Sequence, residues 1–266
     1  MSLPLEGRVA IVTGALGRLG PIWCEALLDA GAVVAGVDLT DAPMSPAFRS
    51  LQERGPARLR LYPADVRDRR ALDAIRAQAE SDLGPPTVLV NNAGIDQPPG
   101  PAKTYRIEEI PDEVFRGILE VNLLGAFYAL QVFGPAMVRL GRGSIINIGS
   151  LYAGVSPDVR FYDHISADLP FLKPPAYGAS KAALVNLTRY LSTHWGPFGV
   201  RVNALSPGGV EGGQDAQFKR KFVSRVPLGR MAEARDLGGP LIFLASDASS
   251  YVTGIELLVD GGYTAW

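Results

Sequence analysis

Apolar positions along this chain fall into two alternating kinds of stretch. Short runs such as Val9-Ala10-Ile11-Val12-Thr13, Val33-Val34-Ala35-Gly36-Val37-Asp38, Thr87-Val88-Leu89-Val90 and Ser144-Ile145-Ile146-Asn147-Ile148 are rich in β-branched residues and show no strict polar alternation. Arg201-Val202-Asn203-Ala204-Leu205 and Ile255–Val259 follow the same style. Such runs suit strands buried on both faces of a parallel sheet. Leu59-Arg60-Leu61-Tyr62 alternates and suits a strand with one wet face. Between the runs, apolar residues recur at helical spacing: up to Ala30, then over 69–82, about 111–139, 177–194 and about 233–246. Strands alternating with helices from end to end predict an α/β, single-domain Rossmann-like doubly wound fold. Its parallel sheet would have about seven strands, with helices on both faces.

Four stretches break the rhythm. Residues 39–58 hold Pro43, Pro46, Gly55 and Pro56 and read as a loop with about one helical turn, and 95–109 reads as a proline-rich loop. The segment 151–176 is irregular and aromatic, with Tyr152, Phe161, Tyr162, His164 and Phe171 beside Arg160 and Lys173. Loops of that length usually carry function. The polar, basic stretch 211–229 reads as a lid over a cofactor. The helix over 111–139 is apolar around more than one face, through Val114, Ile118, Val121, Leu124, Ala126, Ala129 and Phe133. It should pack on both the sheet and another subunit. Asn122 lies inside it and needs hydrogen-bond partners.

Composition removes several alternatives. The 266 residues are 47% hydrophobic and 20% charged with a formal net charge of −1, so neither nucleic acid nor an anionic membrane is indicated as a partner. The single cysteine, Cys24, cannot form an internal disulfide and reads as a small buried hydrophobe. With only His164 and His194, no Cys/His cluster has metal spacing, and no metal is expected. The start of the chain runs straight into a strand and no apolar run approaches about 18 residues, which predicts a soluble cytoplasmic protein.

The chemistry concentrates where strands give way to turns. Gly14-Ala15-Leu16-Gly17-Arg18-Leu19-Gly20 joins the first strand to a helix. Its glycines would let backbone approach a pyrophosphate, which the N–H groups of the helix start would face. Asp38 ends the next strand, where a carboxylate accepts hydrogen bonds from both adenosine ribose hydroxyls and repels a 2′-phosphate. That favours NAD; Arg18, which could meet such a phosphate, keeps NADP open. Asn91-Asn92-Ala93-Gly94 follows a buried strand, at the edge where open α/β sheets bind ligands, although asparagines also make simple turns. Tyr177 and Lys181 fall one helical turn apart on one face. A lysine held there should pull the phenol below its usual value of about 10 and fit it for proton transfer.

Together Thr13-Gly14 through Gly20, Asp38, Asp65, Asn91-Asn92-Ala93-Gly94, Asn122, Ser150, Tyr177 with Lys181, Pro207-Gly208 and Val259-Asp260-Gly261-Gly262 resemble the short-chain dehydrogenase/reductase family over the whole chain. The resemblance implies catalytic roles for Asn122, Ser150, Tyr177 and Lys181. Tyr177 is the general acid/base, Lys181 lowers its pKa and binds the nicotinamide ribose, Ser150 holds the substrate oxygen, and Asn122 holds a water. It implies a cofactor site from Gly14, Leu16, Gly17, Arg18, Leu19, Gly20, Asp38, Leu39, Asp65, Val66, Asn92, Ala93, Gly94, Tyr177, Lys181, Pro207, Gly208, Gly209 and Val210. Asp65 would meet the adenine.

Three departures from the family pattern stand out. The glycines are spaced Gly14-x-x-Gly17-x-x-Gly20, as in a longer, sugar-nucleotide-modifying branch that mostly uses NAD. Ser150 and Tyr177 are 27 residues apart instead of about a dozen, so an insertion covers the substrate side. The threonine expected after Pro-Gly is replaced within Val210-Glu211-Gly212-Gly213, so another group, such as the Val210 backbone, must anchor the nicotinamide. A looser resemblance to sugar- and polysaccharide-linked members implies a sugar, sugar acid or polyol substrate, touched by Ser150, Tyr152, His164, Lys173 and Tyr177, with Arg160 and Arg225 as further contacts. The leading expectation is an NAD-dependent enzyme interconverting a secondary alcohol and a ketone, assembled as a homo-oligomer, a tetramer. The alternatives are an NADP-dependent carbonyl or 3-oxoacyl reductase and a non-catalytic dinucleotide-binding protein, which would be expected to have lost the Tyr, Lys or Ser retained here.

Overall fold

The computed structural model describes residues 3–97, 105–165 and 171–266. In chain order it comprises β1 (Val9–Thr13), α1 (Gly20–Asp29), β2 (Val33–Asp38), α2 (Pro46–Arg54), β3 (Leu59–Pro63), α3 (Arg69–Leu83), β4 (Val88–Asn91), α4 (Asp112–Leu119), α5 (Ala126–Leu140), β5 (Gly143–Ile148), α6 (Pro175–Trp195), β6 (Val200–Pro207), α7 (Ala216–Val223), α8 (Ala234–Ala245) and β7 (Glu256–Val259). The strands form one sheet in the order β3-β2-β1-β4-β5-β6-β7, every neighbouring pair parallel. Strand order reverses between β1 and β4, which leaves a crevice beyond their carboxyl ends.

The unbroken apolar runs serve two cores at once, because successive side chains leave a strand on opposite faces. Ala10, Val12, Val88, Val90, Ile146 and Ile148 pack with α1, α2 and α8. Ile11, Leu89, Ile145 and Val202 pack on the other face with α3, α5 and α6. A polar chain crosses this second layer. Asn91 Nδ2 donates to Asn147 Oδ1 at 2.9 Å, and Asn147 Nδ2 donates to Thr188 Oγ1 at 2.9 Å, tying β4 and β5 to α6. Asn91 is therefore a buried cross-link as well as a strand end.

Helix starts follow local chemistry. The Asp68 carboxylate accepts from Arg70 N and Ala71 N to begin α3, and Asp215 does the same for Gln217 N and Phe218 N to begin α7. Residues 39–58 contain a true helix, α2, where only a turn was expected. Pro46 sits in its first turn, where a missing N–H costs nothing, and Ser45 caps it. Phe48 and Leu51 anchor it in the core.

The expected helix over 111–139 is interrupted. A π-helical turn, Glu120–Gly125, joins α4 to α5 and carries Asn122. At Gly125 a Cβ would lie 2.7 Å from Val66 Cγ2, so the turn presses on the loop after β3 where no side chain fits. The whole Asp112–Leu140 helix is long and apolar enough, by length and composition, to cross a membrane, although no such run was expected. Ala129, Leu130, Phe133 and Met137 are nevertheless buried against the sheet.

Beyond the carboxyl edge a third cluster forms. Leu151, Phe161, Tyr162 and Phe171 of the insertion pack with Phe218 and Phe222 of α7 and with Tyr263 of the tail. The stretch 211–229 is thus built around a helix, not a bare loop. Parts of the proline-rich loop (98–104) and of the insertion (166–170) lie outside the described residues.

Candidate active site

Parallel strands deliver the singled-out residues to one edge. There a cleft of about 770 Å³ is lined from the glycine turn through Asp38, Asp65 and Gly94 to Ser150, Tyr177 and Lys181, and on to Pro207, Gly208, Gly209 and Val210. The glycine turn is shaped for close approach. Gly14 has φ +66, and a Cβ there would lie 2.7 Å from Ala93 Cα. A Cβ on Gly20 would lie 2.3 Å from Ala15 O, so this glycine serves the packing of turn on helix. The Asp38 carboxylate accepts from Leu16 N at 2.7 Å and from Leu39 N at 2.8 Å, which fixes it at the cleft. Leu16 itself is buried behind the turn, while Leu19, Leu39, Val66 and Ala93 line the cleft.

Several residues do other work than expected. Asn92 donates through Nδ2 to Thr13 O (3.0 Å) and Gly14 O (2.9 Å), and its Oδ1 accepts from Trp23 Nε1 at 2.8 Å. Its side chain holds the glycine turn in place. Arg18 spans the cleft and donates to Val210 O at 2.6 Å, so it points away from the place a 2′-phosphate would take beside Asp38. The Val210 carbonyl also accepts from Gln214 Nε2 at 2.9 Å. Arg67 beside Asp65 holds that carboxyl below the usual range.

At the far end α6 projects Tyr177 and Lys181 into the cleft one turn apart, as spaced. The Ser150 hydroxyl accepts from Tyr152 N at 3.2 Å and lies close enough to the Tyr177 phenol to lower its pKa. Lys181 is buried and donates from Nζ to Ile148 O at 2.7 Å. Asn122 is 1% exposed and lies beneath: its Oδ1 accepts from Ile95 N at 2.7 Å, and its Nδ2 donates to Ile95 O and to Ser180 Oγ, both at 3.1 Å. The Ser180 hydroxyl donates in turn to Tyr177 O, so the π-turn is linked to the first turn of α6. A Cβ on Gly94 would lie 3.3 Å from Asn122 Oδ1 and 3.6 Å from Lys181 Nζ, so this backbone passes close over both.

One expectation is corrected. The Tyr177 phenol is not pulled down by Lys181; burial pushes it up to about 12, Asp96 adds to this, and the nearby Ser150 side chain only partly opposes it. The Lys181 ammonium lies 5.8 Å from the Tyr177 ring centroid and bonds to backbone. Burial brings its own pKa down to about 8. Desolvation is the leading cause of both shifts.

Of the four basic candidates in and near the insertion, Lys173 alone lines the cleft among the described residues. His164 does not: its Nε2 lies 2.8 Å from Asp215 Oδ1, clamping the insertion to the start of α7. Arg160 pairs with Asp158 through Nε at 2.8 Å and Nη2 at 2.6 Å, and Arg225 lies 3.6 Å from Asp158. Tyr152 lines the cleft as expected. Asp96, which forms an ion pair with Lys173, was missed. As a lone acid two residues past Gly94 it carried no pattern in the sequence.

This sheet, its switch-point cleft and the Ser–Tyr–Lys group define an oxidoreductase that binds NAD(P). A family model described as enoyl-(acyl carrier protein) reductase matches residues 19–264, and the chain belongs to the short-chain dehydrogenase/reductase family. It is 37% identical over 268 residues to the galactitol 2-dehydrogenase (L-tagatose-forming) of Cereibacter sphaeroides, covering 98% of this chain and 97% of that one. Among solved structures, a short-chain dehydrogenase from Leptospira borgpetersenii with bound NAD+ superposes with a TM-score of 0.83 at 31% identity, covering 97% of this chain and 93% of that one. A gluconate 5-dehydrogenase from Burkholderia cenocepacia in complex with NADP and tartrate gives 0.84 at 28% identity, covering 100% and 98%.

Proposed function

We propose that this protein is an NAD-dependent dehydrogenase that interconverts a secondary alcohol of a polyol and the corresponding ketose. The observation that carries the reading is the convergence of Ser150, Tyr177 and Lys181 on one end of the cleft. The glycine cradle at the start of α1 and the fixed Asp38 carboxylate fit a dinucleotide. NAD, when bound, supplies the acceptor or donor of a hydride. Ser150 orients the substrate oxygen, and Tyr177 gives or takes its proton at the phenol oxygen. Lys181 adds positive charge behind the phenol, and Asn122 fixes the backbone beneath it. NAD is favoured over NADP because Asp38 faces the ribose position while Arg18 is held by Val210.

The likeness to a galactitol dehydrogenase supports a polyol over an acyl thioester, and so does the charged Lys173–Asp96 pair in the cleft, which suits hydroxyls better than an acyl chain. Screening galactitol, arabinitol, sorbitol and gluconate for NAD reduction tests this. Activity confined to acyl or simple carbonyl substrates with NADPH would overturn it.

The titrations set an expected pH profile. A phenol pushed up to about 12 is protonated at neutral pH, ready to donate during ketone reduction. Oxidation needs phenolate, which grows about tenfold per pH unit below the pKa. Oxidation kcat/KM should therefore rise with pH and bend near 8, where Lys181 loses its charge, while reduction stays level below that point and falls above it. An oxidation rate flat over this range would argue against Tyr177 as the base.

The chain is further proposed to act in the cytoplasm as one domain, the insertion and α7 covering its substrate side, and to assemble as a homotetramer. An apolar hollow of about 890 Å³ between α4–α5 and α6, lined by Leu119, Leu123, Leu124, Phe127, Leu187 and Tyr190, supports self-association. Light scattering at micromolar concentration should give the mass of four subunits; a single-subunit mass would refute this.

A further inference from the structure

The cleft beside Tyr177 holds a charged pair that proton transfer does not use. Lys173, just before α6, places Nζ 2.5 Å from Asp96 Oδ2. The same Nζ lies 5.2 Å from the ring centroids of both Tyr152 and Tyr177. Asp96 comes from the loop after β4, so the pair closes the cleft from both sides. Its second oxygen, Oδ1, is buried and has no hydrogen-bond partner among the described residues. An unmatched buried acceptor costs about 1–3 kcal/mol, more when charged, and marks a place for a donor.

We propose that Asp96 and Lys173 form a subsite that reads a second hydroxyl of a neutral polyol, on the carbon next to the one that reacts. The inference rests on the polyol reading above. Asp96 Oδ1 can only accept, so its partner must bring a proton. A hydroxyl does this; an ionised carboxylate cannot, and would meet Asp96 as a like charge. Lys173 has three donors and commits one to Oδ2, so another is available to the same hydroxyl oxygen. The pair is neutral as a whole, and a neutral guest leaves neither charge without its partner. Tyr152 and Tyr162 line the same end and add phenol groups to a wall suited to hydroxyls. The geometry thus selects neutral polyols and ketoses against sugar acids.

The test compares Asp96→Asn and Lys173→Met with wild type on two alcohols that differ by one neighbouring hydroxyl, vicinal butanediol and sec-butanol, with galactitol and arabinitol alongside. In each variant the ratio of kcat/KM for the diol to that for the simple alcohol should fall about 10- to 100-fold. The ratio is taken within one preparation, so a partly unfolded fraction cancels; if one variant fails to fold, the other carries the test. Equal loss on both alcohols, with the ratio unchanged, overturns the subsite alone. A wild type that oxidises sec-butanol but none of the polyols overturns the polyol reading and the subsite with it.

Discussion

Replacing Tyr177 by Phe should lower turnover by about a thousandfold in both directions while leaving NADH affinity within about threefold. The substitution removes one oxygen, and that oxygen is the proton-bearing atom of the phenol in the cleft beside Ser150. The ring remains, half-buried on α6, so the packing around it is kept. Ser150 cannot take over, because an aliphatic hydroxyl is a far weaker acid than a phenol, even one pushed up to about 12. Lys181 cannot take over either, since its Nζ is buried and committed to Ile148 O. The dinucleotide end should not notice, because Asp38 and the glycine turn lie beyond β1 and β2, away from α6. Steady-state rates and NADH fluorescence titration separate the two effects. Residual turnover within tenfold of wild type would mean the proton travels by another group. Loss of NADH binding would mean that Tyr177 acts mainly through the architecture of α6.

Much of this site could be read before its geometry was known, and the reasons are particular. Strands buried on both faces need apolar residues at every position, so β1, β2, β4 and β5 stand out as runs. Tyr177 and Lys181 share one helix, and a spacing of four fixes their common face. Hidden features were those that depend on partners far along the chain. Asp96 acquires its meaning from Lys173, 77 residues later, and His164 finds Asp215 51 residues later. The π-turn was masked because its segment is apolar on several sides, so a small shift in period leaves no trace in the pattern. The tyrosine pKa went the wrong way because spacing places a charge near a phenol but says nothing of how deeply both are buried.

Asp38→Asn should shift the ratio of kcat/KM with NAD to that with NADP by about a hundredfold or more towards NADP. The carboxylate has each oxygen fixed by one backbone amide, Leu16 N and Leu39 N, so it cannot swing away from an incoming phosphate. A unit charge held about 4 Å from a phosphate at an effective dielectric near 20 opposes it by about 4 kcal/mol, although solvent screening at this partly exposed edge reduces that. Asparagine keeps the size and removes the charge, so this repulsion disappears. On the NAD side the loss is smaller in origin but adds to the same ratio: a neutral amide offers one acceptor where the carboxylate offered two, and charge-assisted bonds to ribose hydroxyls are about twice as strong as neutral ones. Arg18 is the residue that could confuse the outcome, but its guanidinium is occupied by Val210 O. Initial rates with both oxidised cofactors on one polyol give the ratio directly. A variant that retains the wild-type ratio would show that Asp38 does not set the choice, and that the NAD assignment must rest on other residues of the cleft.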